Sequence, residues 1–244
     1  MKMPDIAEIR AVALERKIGP SASANTAKIV TKGRAQVTES GLESQFLVLK
    51  SFDLDVLRVQ MQPVTLHWPD GKGGERKYTP DALVEYRSGA ENPSLRNTEL
   101  IEIKPAAIYL KNREELDEKF AVARIWAKHK GLNFLMVTEN DIPPIQAWNI
   151  QFLTRYSNDK IMLASSDAQI RQKTLNELLR SVGETSPGEL LVKATENSVE
   201  RGHLLPLLWN LIYKRVVNVD IAAPLNMASR IWANDQNVRE THNP

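Results

Sequence analysis

Cysteine is absent from the 244 residues of this sequence, and histidine is scarce. The absence of cysteine excludes disulfide bonds and thiolate metal sites. The four histidines lack the spacing of zinc ligands; they are His67, His129, His203 and His242. Long apolar runs are also missing, since no stretch reaches the ~18 apolar residues that a membrane-spanning helix needs, and residues 1–11 lack the apolar core of a signal peptide.

A strong charge of either sign is absent as well, because the formal net charge is only +2. This balance neither demands nor excludes a nucleic-acid partner, so local clusters of charge must decide. Hydrophobic residues make up 42% of the chain, which is enough for a packed core. The length fits one large domain or two modest ones. The composition leads us to expect a cytoplasmic bacterial protein without a membrane partner.

Acidic residues near the ends of two predicted strands are the most informative feature. Asp81 opens the apolar run 82–84, and Glu102 lies within the run 100–103, followed by Lys104. Residues two apart on a strand point to the same face, so Glu102 and Lys104 should lie side by side. Two carboxylates and a lysine at neighbouring strand ends are what a metal-dependent phosphodiester nuclease needs.

Phosphodiester hydrolysis requires an activated water, a neutralised phosphate and a stabilised leaving oxygen, and a divalent metal can supply all three. Mg²⁺ prefers oxygen ligands and keeps several waters, so a few carboxylates suffice. Asp81 and Glu102 are the predicted ligands. The main-chain carbonyl of Ile103 and the carboxylate of Glu43 would complete the shell, and Mn²⁺ is expected to substitute. Lys104 would hold the attacking water or offset charge on the phosphate.

Each part of this pattern also has an ordinary structural explanation. A lone Glu-x-Lys is more often a solvated strand face, and only the α/β context favours catalysis. Glu43 lies three residues after Ser40, the spacing of a capping box, so its carboxylate could simply cap a helix. Glu39 is the alternative third acid. The predicted catalytic residues are Glu43, Asp81, Glu102 and Lys104.

Helix-like and strand-like patterns alternate along the first two thirds of the chain. The predicted helices span residues 5–17, 39–51 and 112–130, and the predicted strands span 56–68, 78–86, 100–104 and 133–138. Pro63 should bend the first of these strands, and residues 70–74 predict a hairpin turn. Residues 19–38 are polar and basic and should form an extended arm, either a linker or a DNA contact. This order predicts an α/β core with a central mixed sheet.

The last third of the chain is predicted to be mostly helical. Helices are expected at 145–156, 166–182, 187–197 and 201–214, and strands at 216–219 and 228–232. Three helices with a two-stranded wing are typical of a winged helix. Trp148 and Trp209 lie among apolar residues and should be buried. The predicted domains are an N-terminal helix and basic arm at 1–37, a catalytic domain at 38–157 and a winged-helix-like domain at 158–244.

At these residues the chain resembles TnsA, the endonuclease subunit of heteromeric cut-and-paste bacterial transposases. The likeness rests on ordered motifs: Glu39 to Glu43, Gln62-Pro63, Tyr78 to Val84, and Ile101 to Pro105. It covers about residues 38–150, whereas the C-terminal part matches only in outline. Several motifs in the right order are far more specific than any one of them alone.

The resemblance implies a restriction-endonuclease-like core, with the fold of the type II enzymes. It implies cleavage of double-stranded DNA at the 5′ ends of the transposon, while an integrase-type partner, TnsB, cleaves and joins the 3′ ends. An AAA+ regulator, TnsC, would contact the pair. By motif position Glu43, Asp81 and Lys104 match the family's acids and lysine, and some members carry glutamine where this chain has Glu102.

Two other functions stay open from the sequence. A stand-alone restriction or repair nuclease of the same fold would cut naked duplex without partners, but the mild net charge argues against it. A non-catalytic module could instead bridge DNA and partner proteins, since fold does not determine function. The presence together of all the polar site residues argues against that second alternative.

Overall fold

A computed structural model describes residues 3–13, 27–31, 34–38, 40–87 and 98–234. The chain divides into two compact units, Met1–Pro143 and Pro144–Pro244. The predicted domain limit after residue 157 differs from this division. Within the described ranges, no helix is long and apolar enough to cross a membrane.

The first unit combines strands and helices. Its strands are β1 (Arg10–Ala13), β2 (Ala27–Thr31), β3 (Arg34–Thr38), β4 (Val56–Met61), β5 (Val64–Pro69), β6 (Glu75–Tyr78), β7 (Ala82–Tyr86), β8 (Glu99–Ile103) and β9 (Asn133–Val137). Its α-helices are α1 (Gly41–Phe52), α2 (Ala106–Lys111) and α3 (Arg113–His129), and 3₁₀ turns occur at Ile6–Glu8 and Glu139–Asp141.

A four-stranded sheet in the order β4-β7-β8-β9 forms the centre of this unit. Its first three strands are antiparallel, whereas β8 and β9 run parallel. The predicted α/β core with a mixed central sheet is therefore confirmed. A second, antiparallel sheet has the order β1-β5-β6, and β2 pairs with β3 as a hairpin.

Apolar side chains cover both faces of the central sheet. Leu100 belongs to a cluster with Phe120 of α3. Ile101 and Ile103 belong to another cluster with Phe46 of α1. The alternation follows from the two-residue period of a strand. It places the even-numbered residues of β8 on the α3 side of the sheet.

The helix predicted over residues 5–17 is wrong where the structure describes it. Asp5 and Glu8 form a reciprocal capping box around a single 3₁₀ turn, and β1 then pairs with β5. Burial of Ile9 in the cluster beside β5 stabilises this extended path over a helix. Residues 14–17 lie outside the described ranges, as do 19–26, 32 and 33 of the predicted basic arm.

The strand predicted over residues 56–68 is two strands in different sheets. Gln62 has a left-handed backbone conformation, with φ of 47°, and Pro63 has no N–H for a ladder. Together they redirect the chain from β4 to β5. The strand predicted over 78–86 likewise divides into β6 and β7. Asp81 lies just before β7, so it stands where the chain passes from one sheet to the other.

The described part of the predicted extended arm is instead the hairpin of β2 and β3. The other predicted helices and strands of this unit are confirmed, with shifted ends. Ser40 caps α1 by accepting a hydrogen bond from the N–H of Glu43 at 3.1 Å. Asp70 orders the hairpin turn, since its carboxylate accepts hydrogen bonds from the N–H groups of Lys72 and Gly74. The predicted helix over 112–130 is α3, which the short α2 precedes. The strand predicted over 133–138 is β9.

The second unit is mostly helical. Its elements are α4 (Pro144–Thr154), α5 (Asp159–Met162), α6 (Ser166–Val182), β10 (Glu184–Thr185), α7 (Pro187–Ala194), α8 (Ser198–Tyr213), β11 (Val217–Val219) and β12 (Ile231–Ala233). The short strands form a sheet in the order β10-β12-β11. The predicted helices and strands are present, and α5 and β10 are additional.

Helix α4 belongs to the second unit because of its contacts. Leu153 lies in the same buried cluster as Leu179 and Leu208. The side-chain amide of Asn149 donates to the carbonyls of Ile221 and Ala223, at 2.9 and 2.7 Å. These contacts explain why the division falls before α4 and not after residue 157.

The two tryptophans predicted to be buried differ in exposure. Trp209 is only 4% exposed, which confirms its prediction. Trp148 is 72% exposed, so its predicted burial is wrong. The buried positions on α4 include Ala147, Asn149 and Ile150. The apolar residues around Trp148 predicted that its side chain faces the core, but the neighbouring polar residue Asn149 faces the core instead.

Candidate functional site

Asp81 lies across from Glu102, where the two inner strands of the central sheet, β7 and β8, meet at one end. The adjoining pair in the antiparallel register is Ala82 with Ile101, and one step further brings Asp81 opposite Glu102. Residues opposite each other on such strands have Cβ atoms about 4.5–5.5 Å apart. The Asp81 carboxylate accepts a hydrogen bond from the main-chain N–H of Ile103 at 2.7 Å.

The main chain of Asp81 is fixed as well. Its carbonyl accepts a hydrogen bond from the N–H of Gln62 at 2.7 Å. The left-handed turn at Gln62 is therefore tied directly to the site. Asp81 is therefore held by two hydrogen bonds, one from β8 to its side chain and one from the turn between β4 and β5 to its main-chain carbonyl.

Glu102 is a buried carboxylate, with only 2% of its surface exposed. Its Oε2 accepts a hydrogen bond from the hydroxyl of Tyr78 at 2.6 Å, and its Oε1 forms an ion pair with Nζ of Lys104. This contact confirms that Glu102 and Lys104 share a face of the strand. Lys104 continues the sheet, since its N–H donates to the carbonyl of Val137 at 2.9 Å, and its side chain is partly exposed.

Glu43 lies at the start of α1, close enough to Asp81 for their charges to interact. Its N–H is bonded to the cap residue Ser40, and it lies in the first turn of the helix. The charge of Glu43 acts on the Asp81 carboxyl and raises its pKa, so the two side chains are near enough to interact. The alternative acid Glu39 lies outside the described residues.

The opposite end of α1 is tied to the same sheet. Nζ of Lys50 donates a hydrogen bond to the hydroxyl of Tyr86 at 2.8 Å and lies 3.7 Å from a carboxylate oxygen of Glu99. Because Tyr86 ends β7 and Glu99 begins β8, this cluster lies at the far end of both strands from Asp81 and Glu102. It fixes the helix that carries Glu43.

Burial raises the pKa of the Asp81 carboxyl to about 7, and the negative charges of Glu102 and Glu43 act in the same direction. The Ile103 N–H and the Lys104 ammonium lower this pKa but do not compensate. A positive charge close to Asp81, such as a bound cation, would favour the ionised form of this buried carboxyl.

The donor set suits Mg²⁺ in chemical type. Mg²⁺ is commonly held by one or two carboxylates together with waters, and Asp81 and Glu102 offer two. Within the part of the chain that the structure describes, however, no group of three or more histidine or acidic side chains is placed to hold an ion. Ile103 enters the site through its N–H, whereas the sequence indicated only its carbonyl.

Tyr78 is the residue that sequence reasoning missed. Burial, and then the negative charge of Glu102, raise its pKa well above the usual range, so its hydroxyl stays a donor. The available signal was its position at the end of a strand in the same motif as Asp81. A tyrosine at such a position is also typical of a core, and only the fold shows which carboxylate its hydroxyl reaches.

Two family models match the chain. The model for the TnsA-like endonuclease N terminal matches residues 53–139, and the model for the TnsA endonuclease C terminal matches residues 141–221. The chain belongs to the TnsA endonuclease family. A search of curated proteins found no match.

The family assignment agrees with the geometry. The N-terminal match includes Asp81, Glu102 and Lys104, whereas Glu43 precedes it. The mixed sheet fits a nuclease-like core, and the two matches meet close to the division after Pro143. TnsA proteins are transposase endonuclease subunits that act on DNA, so the family supports a nuclease function for this chain.

Proposed function

We propose that the protein is a Mg²⁺-dependent endonuclease that cuts double-stranded DNA at the 5′ ends of a transposon during cut-and-paste transposition. The observation that carries this proposal is that Asp81 follows the Ala82–Ile101 register to a position opposite the buried Glu102, which is paired with Lys104. This arrangement lies within the residues matched by the TnsA-like N-terminal model. The first unit of the protein would then have a restriction-endonuclease-like core.

Asp81 and Glu102 would hold the ion, with Glu43 and the carbonyl of Ile103 as further oxygen donors, and Mn²⁺ would substitute for Mg²⁺. When bound, the ion supplies positive charge to the scissile phosphate and makes water a better nucleophile. The raised pKa of Asp81 supports this role, because a carboxyl that resists ionisation beside other acids favours a cation partner.

Lys104 would act on the reacting groups through its ammonium. Glu102 holds Nζ at the end of β8 while the side chain stays partly exposed. From there the ammonium would orient the attacking water or offset charge that develops on the phosphate. Fixed charges of this kind are effective because they need no reorganisation during the reaction.

The partners would be an integrase-type TnsB subunit and a TnsC-type AAA+ regulator. The family assignment supports a transposase complex. We infer a winged-helix-like fold for the second unit, in which α6, α7 and α8 accompany the sheet of β10, β12 and β11. That unit would contact DNA or the regulator. Removing residues 144–244 should then abolish capture of the regulator while the first unit stays folded.

Strand-specific mapping of cuts on a duplex with a transposon end tests the proposal. The duplex is incubated in Mg²⁺ with this chain alone, with the partner subunits alone, and with both. The proposal predicts cuts at the 5′ ends only when both are present. Cutting by the isolated chain would favour a stand-alone nuclease, and an absence of 5′ cuts in the full mixture would favour a non-catalytic bridging module.

A further inference from the structure

We propose that Tyr78 is a positioning residue of the candidate site, which holds Glu102 in the orientation that metal binding and Lys104 require. The inference rests on the proposed function and adds a residue outside the predicted catalytic set of Glu43, Asp81, Glu102 and Lys104. Its basis is the buried hydrogen bond from the Tyr78 hydroxyl to Oε2 of Glu102, at 2.6 Å.

The ring of Tyr78 is fixed by its surroundings. Tyr78 ends β6, pairs with Leu66 of β5, and is 8% exposed. Its ring lies 6.0 Å from that of Phe120, centroid to centroid, at an interplanar angle of 54°. The hydroxyl therefore reaches from the antiparallel sheet to β8 of the central sheet without freedom to move away.

Glu102 needs this contact because a buried carboxylate requires a partner for each oxygen. Lys104 is bonded to Oε1 and Tyr78 to Oε2. The terminal torsion of a glutamate is broad and poorly defined by itself. Two different donors on the two oxygens determine the plane of the carboxylate, and hence the direction in which an ion would meet it.

Outer partners that orient a metal ligand contribute measurably to binding. Loss of such a partner typically costs 10–100-fold in metal affinity or activity. Replacing Tyr78 with phenylalanine removes one oxygen and keeps the ring that packs on Phe120. The variant should therefore fold, yet bind a divalent ion about 10–100-fold more weakly.

Tyr109 provides a matched control in the same unit. Its hydroxyl donates to a carboxylate oxygen of Asp117 at 2.7 Å, and its ring also lies 6.0 Å from Phe120. Tyr109→Phe thus deletes the same kind of hydrogen bond beside the same aromatic ring. Asp117 is not part of the candidate site, so this variant should bind ions like the wild type.

The experiment is calorimetric titration of Mn²⁺ into the full chain, for the wild type, Tyr78→Phe, Tyr109→Phe and Asp81→Ala, below the melting temperature of each. Cleavage in the presence of partner subunits is measured in parallel. We expect Tyr78→Phe to bind Mn²⁺ about 10–100-fold more weakly than the wild type. Tyr109→Phe should bind Mn²⁺ like the wild type. The kcat of Tyr78→Phe should fall while its KM for DNA stays unchanged.

The outcomes separate this inference from the proposed function. If Asp81→Ala weakens Mn²⁺ binding but both tyrosine variants match the wild type, the positioning role is overturned and the nuclease site stands. If Mn²⁺ binding weakens equally in both tyrosine variants, or if Tyr78→Phe does not fold, the Tyr78 hydroxyl serves the packing of the unit. Either result also overturns the positioning role. Wild-type Mn²⁺ binding by Asp81→Ala would contradict the proposed function itself.

Discussion

The carboxylate of Asp81 accepts a hydrogen bond from the main-chain N–H of Ile103, 2.7 Å away. The bond extends the pairing of β7 and β8 past their last backbone partners, Ala82 and Ile101. It therefore uses one carboxylate oxygen to fix the end of the sheet. The chemistry proposed for Asp81 depends on this link, since it brings Asp81 opposite Glu102.

Replacing either Asp81 or Glu43 with alanine should abolish cleavage at the 5′ ends and leave partner-driven joining of the 3′ ends intact. A transposon joined at its 3′ ends but still attached at its 5′ ends gives cointegrates instead of simple insertions. The ratio of the two products in a transposition assay measures the effect.

Glu85→Ala is the control for this prediction. Glu85 lies on β7 near its other end and forms an ion pair with Arg58, away from the candidate site. It should keep the wild-type product ratio. A wild-type ratio from Asp81→Ala would argue against the site.

Asp81→Asn should stabilise the metal-free protein, and more so as pH rises. Because the pKa of Asp81 is raised from 3.8 to about 7, the folded protein keeps a proton that the unfolded chain has released. Stability of the wild type therefore falls between these two values and levels off above them. Asparagine resembles the protonated acid and carries no such cost.

Thermal melts in EDTA check this prediction. The advantage of Asp81→Asn should be small near pH 4, grow towards pH 7 and level off above it. Glu85→Gln, the same acid-to-amide change away from the candidate site, serves as the control. An advantage that shrinks with rising pH would contradict the assigned direction of the Asp81 shift.

Lys104→Ala should slow cleavage by about 10²-fold or more, as loss of one transition-state contact typically does. Lys119→Ala, which removes a lysine paired with Glu115 on the surface of α3, should leave the rate unchanged. Single-turnover cleavage with partner subunits present measures both. An unaltered rate for Lys104→Ala would refute the role given to its ammonium.

A fragment of residues 144–244 should fold alone, whereas a fragment of 158–244 should be much less stable. The shorter fragment lacks Leu153 of the buried cluster and Asn149, whose amide holds the segment 221–225. Urea unfolding followed by circular dichroism compares them. Equal midpoints would place the domain limit after residue 157, as the sequence predicted.

Much of the fold was predictable because local chemistry dictates it. The Ser40 cap, the turn at Asp70 and the two-residue alternation on β8 each depend on a few neighbouring residues. The contact of Glu102 with Lys104 follows from the same alternation. Such features are visible in a sequence whatever the tertiary structure.

Other features depend on partners distant in the chain. The first residues pair with β5 instead of forming a helix, since only the fold supplies that partner strand. The split at Gln62 creates a second sheet, and that sheet brings Tyr78 to Glu102. The exposure of Trp148 likewise depends on which face of α4 meets the core. None of these can be deduced from local patterns.

Anomalous diffraction from Mn²⁺-soaked crystals of the protein bound to DNA and its partners tests the central claim most directly. We predict a peak within bonding distance of an Asp81 carboxylate oxygen and adjacent to Glu102, next to the scissile phosphate. A fully engaged complex with no peak there, or with these two side chains on opposite faces of the sheet, would contradict the account.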